Sequence, residues 1–198
     1  MALNDNAVLT AATGYIFTAP EGTTPPTPQA VDSFDPATGF PTWNNIGHTS
    51  RDDLPEFGYE GGDTETKGTW QSEALKTVVK EAAVDYVTWK LHQFDEEGLS
   101  LYYGQTNGST TTGEFKVTGT GAATRRALLI VIVDGPTKIA FYAPKVDIRR
   151  SDAIELAVDE FSKLPLRATF LKDTTKNELF RWISLDTGVN PADPPAGG

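Results

Sequence analysis

At 198 residues, with 27 acidic against 17 basic side chains and a formal charge of −10, the chain is a poor candidate for generic nucleic-acid binding, which needs lysine and arginine along the phosphates. It has no cysteine, which removes disulfide staples, thiolate metal sites and cysteine nucleophiles together. A hydrophobic content of 38% suits one folded domain, and the longest apolar run, Ala127–Val133, is far too short for a membrane-spanning helix.

Residues 1–13 read as an extended N-terminal arm. With Asp5 and no basic residue ahead of its small residues, the arm is not expected to act as a signal peptide. Gly14–Thr18 (GYIFT) is expected as the first strand. Residues 19–41 then carry six prolines and almost no periodic apolar pattern, so this stretch is expected as a strap lying over other structure.

Between Trp43 and Trp70 the chain reads WNNIGHTSRDDLPEFGYEGGDTETKGTW, a polar, glycine-rich run without helical period. It is expected as a long irregular loop, 47–67 at its centre, and loops of that length in compact domains usually bind something. Over Ser72–Phe94, Val87, Trp89 and Leu91 alternate with Thr88, Lys90 and His92, the period of a half-buried strand. A helix over Glu73–Ala83 is the other option, but the Val78–Val79 pair and the later alternation favour two strands or one long bent strand.

The run FDEEGLSLYYG predicts a short amphipathic helix over Glu96–Tyr103. Asp95 suits the N-cap, and Glu96 and Glu97 sit where the helix dipole favours negative charge. Leu99, Tyr102 and Tyr103 share one face, and Gly104 ends the helix. Everything after it reads as β: Glu114–Thr118, then Arg125–Asp134 as a strand buried on both faces, a turn at 134–136, and its partner Thr137–Ala143. Lys145–Arg149, Pro165–Lys172 and Leu179–Leu185 follow, with Ala153–Val158 either a strand or a helical turn. Residues 186–198 (DTGVNPADPPAGG) are expected as a flexible tail.

Few residues point to chemistry. The two histidines, His48 and His92, lie in different elements; His48 with Asp52 and Asp53 is a weak cation candidate, and His92 occupies the polar phase of its strand. Glu56, Glu60, Asp63 and Glu65 do not have the spacing of an EF-hand. Gly119–Thr124 faintly resembles a dinucleotide turn, but a strand-forming run follows where a helix is required. Trp43, Trp70, Trp89 and Trp182 are expected in the core or at subunit contacts.

The sequence of a long polar loop, a strand, a short helix and a mostly β remainder resembles the major tail protein, or tail tube protein, of long, non-contractile-tailed bacteriophages. The resemblance covers most of residues 1–185. It implies a mainly β, sandwich or barrel-like domain with the 96–103 helix on its flank. Six copies would form a ring, rings would stack into the tail tube of the virion, and DNA would pass through the lumen without specific binding. Such a protein is made in the host bacterial cytoplasm. It is not an enzyme and needs no cofactor or metal. Its partners are itself and other tail proteins: tape measure, terminator and distal tail.

Function then lies in interfaces. The arm 1–13 and the loop 47–67 are the candidates for reaching neighbouring copies, with Leu3, Leu54, Phe57, Tyr59, Trp43 and Trp70 as anchors. The overall acidity predicts a lumen of net negative potential, which repels DNA from the wall. Two other classes stay open: a monomeric β-sandwich binding module, for carbohydrate or protein, using the Trp43–Trp70 loop, and a hydrolase with paired carboxylates.

Overall fold

The computed structural model describes residues 3–189; Met1 and Ala2 of the expected arm and 190–198 of the expected tail lie outside them. After a single 3₁₀ turn at Asp5–Ala7 come β1 (Thr13–Ala19), α1 (Pro28–Asp32), β2 (Asn44–Asn45), β3 (Glu56–Glu60), β4 (Thr64–Thr69), β5 (Ser72–Val79) and β6 (Val84–Leu91). Then follow α2 (Glu96–Tyr103), β7 (Thr124–Asp134), β8 (Thr137–Arg150), β9 (Leu164–Phe170) and β10 (Arg181–Ile183). The architecture is mainly β, as expected.

Eight strands make one antiparallel sheet in the order β2-β1-β7-β8-β9-β6-β3, with β10 on the first half of β8. Its two ends, β2 and β3, are consecutive in the chain. The Ile46 N–H donates to the Ile16 carbonyl on β1 (3.0 Å), and four residues later the Ser50 N–H donates to Lys90 on β6 (2.8 Å). The segment 44–60 is therefore a seam that passes from one edge of the sheet to the other and curls the sheet into a barrel-like wall. A barrel removes the open edges that would otherwise pair with other chains.

Strand alternation divides the apolar side chains between two cores. Ile16, Ile46, Val87, Trp89, Leu91, Leu128, Ile130, Phe141, Ile148 and Leu166 fill the interior, joined by Leu101 and Tyr102 of α2. The alternate residues of the same strands, Phe17, Leu129, Val131 and Tyr142, face outward beneath Val31, Phe34, Phe40 and Trp43. Residues of the proline-rich stretch cover the outer face of β1, β7 and β8. Burial on both faces explains the unbroken apolar run of β7. Contacts with β8 hold the strap: Tyr142 donates its hydroxyl to the Thr23 carbonyl (2.8 Å), the Gly22 N–H donates to the Pro144 carbonyl (2.9 Å), Lys145 pairs with Glu21 (2.8 Å), and Lys138 donates to the Asp32 carbonyl. Pro144 sits where the β7–β8 register shifts, so its missing N–H falls at a bulge and not in the ladder.

α2 forms over the residues its caps foretold. Asp95 Oδ1 accepts the Gly98 N–H (2.8 Å), and Gly104 takes the left-handed conformation at φ 65°. A Cβ at Gly104 would stand 1.8 Å from the Ala122 carbonyl oxygen, so glycine is required there twice over. Tyr102 donates its hydroxyl to the Asp152 carbonyl (2.8 Å), fixing the helix against the loop that follows β8.

Several expectations need correction. The strap contains a short helix, α1, capped by the Thr27 side chain with Pro28 in its first turn; this signal was present in the sequence but the surrounding prolines obscured it. Glu114–Thr118 is not a strand. Its groups bond locally instead: the Glu114 N–H donates to the Thr111 carbonyl (3.2 Å), Asn107 Oδ1 accepts the Lys116 N–H (2.9 Å), and Gln105 Oε1 accepts the Thr118 hydroxyl (3.1 Å). Thr137–Ala143 and Lys145–Arg149 are one strand, β8, continuous through the bulge. Ala153–Val158 is neither strand nor helix but part of a loop closed by mutual backbone bonds between Glu155 and Lys163 (3.0 and 2.8 Å). The chain stays tied to the body past residue 185, since Asp186 accepts the Lys138 N–H (3.3 Å) and the Thr187 carbonyl accepts from Asn4 (3.3 Å).

Candidate assembly surfaces

The polar segment is not an irregular loop. Its first part is the seam, and its second part is one arm of a long bent hairpin. β3 pairs with β6 from Glu56↔Thr88 to Glu60↔Val84, and the same two chains continue as β4 and β5 from Thr64↔Val79 to Thr69↔Ser72. Between the two ladders lie Gly61 and Gly62, at φ 78° and 80°. A side chain at Gly61 would meet the Ala82 carbonyl oxygen at 2.5 Å, so the bend depends on glycine. Alternating threonines (Thr64, Thr66, Thr77) supply the β-branching that lets a polar sequence form strands.

Beyond the bend the hairpin leaves the body. β4 and β5 pair only with each other, and nearly all their side chains are exposed, including Leu75 and Val79. An isolated two-stranded hairpin is marginal in water and gains its stability from a packed face. At its turn Trp70 is 100% exposed. Lys67 and Lys76 stand directly opposite each other, a repulsive pair, and among the described residues neither meets a carboxylate.

The candidate anchors separate by environment. Trp70 is at the hairpin turn, Tyr59 is exposed on β3, and Leu3 is exposed in the arm. Leu54 is exposed on the seam. Phe57 is half-exposed, in contact with Phe141 (ring centroids 4.8 Å) and Trp182 (5.4 Å) at one mouth of the barrel. Trp43 is the exception. At 6% exposure it packs edge-on against Tyr142 in the outer core, so its burial is intramolecular and it offers no face to a partner.

Two surfaces had no clear sequence signal. One is the loop closed by Glu155 and Lys163, which holds Leu156 and Val158 out in solvent, while the largely exposed Phe161 tilts against the His92 ring (centroids 5.4 Å). The other is a cavity of about 240 Å³ at the barrel mouth, where the seam stands away from β1 and β7; Ala12, Tyr15, Leu54, Phe57 and Ile132 line it.

Charges tie the seam to this loop. Lys163 donates to Asp53 (2.9 Å) and Glu160 (3.0 Å), while Lys90 bridges Glu155 (3.0 Å) and Asp53 (3.4 Å). The hydrogen bond from Lys163 holds the Asp53 carboxyl below the ordinary aspartate range. Because the folded value is depressed, the stability it contributes is present above the unfolded value and disappears as pH falls through the folded one. Asp53→Asn should therefore lower the urea midpoint at pH 7. The gap to wild type should close as pH falls below the ordinary aspartate range, and urea titrations at several pH values would read this directly.

His92 is half-buried, its Nδ1 within 3.0 Å of the Ser162 carbonyl, so it belongs to the same seam-to-loop contact. Among the described residues no three His, Asp or Glu side chains are grouped to hold a metal ion.

Comparison with known proteins agrees with this reading of a protein built of surfaces. A family model described as phage tail tube protein matches residues 1–196. The chain is 49% identical over 198 residues to the major tail protein Gp23 of Mycobacterium phage D29, covering 96% of this chain and 98% of that relative. It is 46% identical over 203 residues to the major tail protein Gp23 of Mycobacterium phage L5, covering both in full. These matches select a structural component of the virion tail over the binding-module and hydrolase readings, and the chain belongs to the phage tail tube protein family.

Proposed function

We propose that copies of this chain self-assemble into hexameric rings that stack head to tail as the tail tube through which phage DNA is ejected. The observation that carries the reading is the detached hairpin β4–β5. It is a regular element with exposed apolar side chains and no packing on its own subunit, the form expected of a segment that becomes buried on assembly. The arm 1–13, with Leu3 exposed, and the seam, with Leu54 and Tyr59 exposed, are the other contacts between copies. A ring needs one rotation that closes, and a stack needs an axial repeat; both are heterologous contacts made by different surfaces of one subunit.

The charge of −10 supports a wall that DNA passes without binding. The tape measure, terminator and distal tail proteins meet the tube along its bore and at its ends. Synthesis in the host bacterial cytoplasm precedes assembly.

Negative-stain electron microscopy of the concentrated protein tests the proposal. Rings or tubes with a central hole are expected, and end-on views give the ring number. Uniform small particles, still monomeric at the highest soluble concentration, would overturn it.

A further inference from the structure

We infer that the hairpin turn of one copy docks into the barrel mouth of a second copy, with Trp70 as the knob and the cavity between seam and β1 as the hole. The inference rests on the proposal that copies of this chain assemble, and it names the partner surface.

Three observations converge on it. Trp70 is wholly exposed at the far end of a hairpin that touches nothing else, the most unfavourable place for the largest apolar side chain unless it is covered. The mouth cavity has room for one indole. At about 240 Å³ it is smaller than the usual small-molecule site, and its walls are mainly apolar, with Leu54 and Phe57 on the seam and Ile130 and Ile132 on β7. The charges contribute as well. Lys67 and Lys76 repel each other beside the knob, whereas Asp52, next to Arg51 at the rim of the hole, is exposed and without a salt-bridge partner among the described residues. Docking brings the ammonium groups near this carboxylate and relieves the repulsion. Arg51, also at the rim, is placed to cover the indole face.

The geometry requires a second copy. β4 and β5 are continuous with β3 and β6, so the turn is carried away from the mouth that its own seam helps to form. The contact is therefore heterologous: knob and hole are different surfaces, and each copy offers both, which propagates an assembly without self-limitation until a ring or an end closes it.

Because the chain has no cysteine, single thiols report the contact cleanly. Gln71→Cys, beside the knob, and Arg51→Cys, at the rim of the hole, are made as separate proteins, one carrying a size tag, then mixed and oxidised at high concentration. Docking predicts a mixed disulfide dimer far in excess of that formed when Arg51→Cys is replaced by Thr112→Cys, an exposed site on a distant loop. In parallel, Trp70→Ala should raise the critical concentration for assembly about tenfold or more. Lys67→Glu with Lys76→Glu should do the same, and adding Asp52→Lys should lower it again. Circular dichroism of the monomers shows that folding is unchanged. Wild-type tubes without the specific disulfide would overturn this contact and leave the tube reading intact. Neither tubes nor disulfide would overturn both.

Discussion

Excising the hairpin, from Asp63 to Lys80, is expected to leave the barrel folded and to abolish assembly. The two ends of the cut are already neighbours: the Gly62 N–H donates to the Glu81 carbonyl at 3.0 Å. Joining them leaves β3 and β6 connected by Gly61, Gly62, Glu81, Ala82 and Ala83, a glycine-containing loop of hairpin length. No core residue lies within the excised stretch, so both apolar clusters stay complete. The thermal midpoint of the shortened monomer should lie within a few degrees of wild type. Its sedimentation should show a monomer at concentrations where wild type forms tubes. A shortened protein that still builds tubes would remove the hairpin from the assembly and leave the arm and seam as the only contacts.

Truncating Trp89 to alanine should have the opposite profile, a loss of stability before any loss of contact between copies. Trp89 is 2% exposed and lies on β6 between Val87 and Leu91, facing the barrel interior. Removing so large a buried side chain costs about 3–5 kcal/mol, from lost transfer energy and from the cavity that the surrounding strands cannot collapse to fill. With a urea slope of about 2 kcal/mol per molar, the midpoint should fall by roughly 1.5–2.5 M, measurable by fluorescence of the remaining tryptophans. A shift under about 0.5 M would mean that the interior rearranges far more freely than a closed sheet allows. Trp70→Ala provides the contrast, because an exposed indole contributes almost nothing to the monomer.

These two tryptophans show how much could be read from the chain alone. Trp89 was legible because it alternates with polar residues on a strand whose period stands out. Trp43 and Trp70 looked equivalent as brackets of a polar segment, yet one lies in the outer core and the other at a hairpin turn. What separates them is the strap, which is tied to β8 by contacts more than a hundred residues apart in sequence, such as Tyr142 to Thr23. No local pattern reports such a contact. The bounds of α2 were readable to the residue because its cap and its charges agree, but its buried face is Gly98, Leu101 and Tyr102, with Leu99 and Tyr103 only partly buried. β3 and β4 were missed because their pattern is threonine and charge, not apolar alternation, and because strands that build a seam or an arm bury little of their own surface. Glu114–Thr118 failed for the complementary reason: it has the right residues for a strand but pairs with no edge, and its groups are taken up by Asn107 and Gln105 instead.

The seam, the strap and the pairing of β1 with β7 also set an order of events while the chain is being made. Thr13 pairs with Val133, so the first strand, which β2 meets only at Phe17 and Thr18, lacks its full-length partner until the seventh has been synthesised. At about 5–20 residues per second that interval is on the order of 6–24 s. During it GYIFT is an apolar strand with its β7 edge open, the kind of segment that recruits strands from other nascent chains. The stretch that follows it at once is the proline-rich strap, which has few donors for such pairing and later covers the same face in the finished fold. Its six prolines thus protect β1 twice, first as a poor template beside a waiting strand and then as its permanent cover.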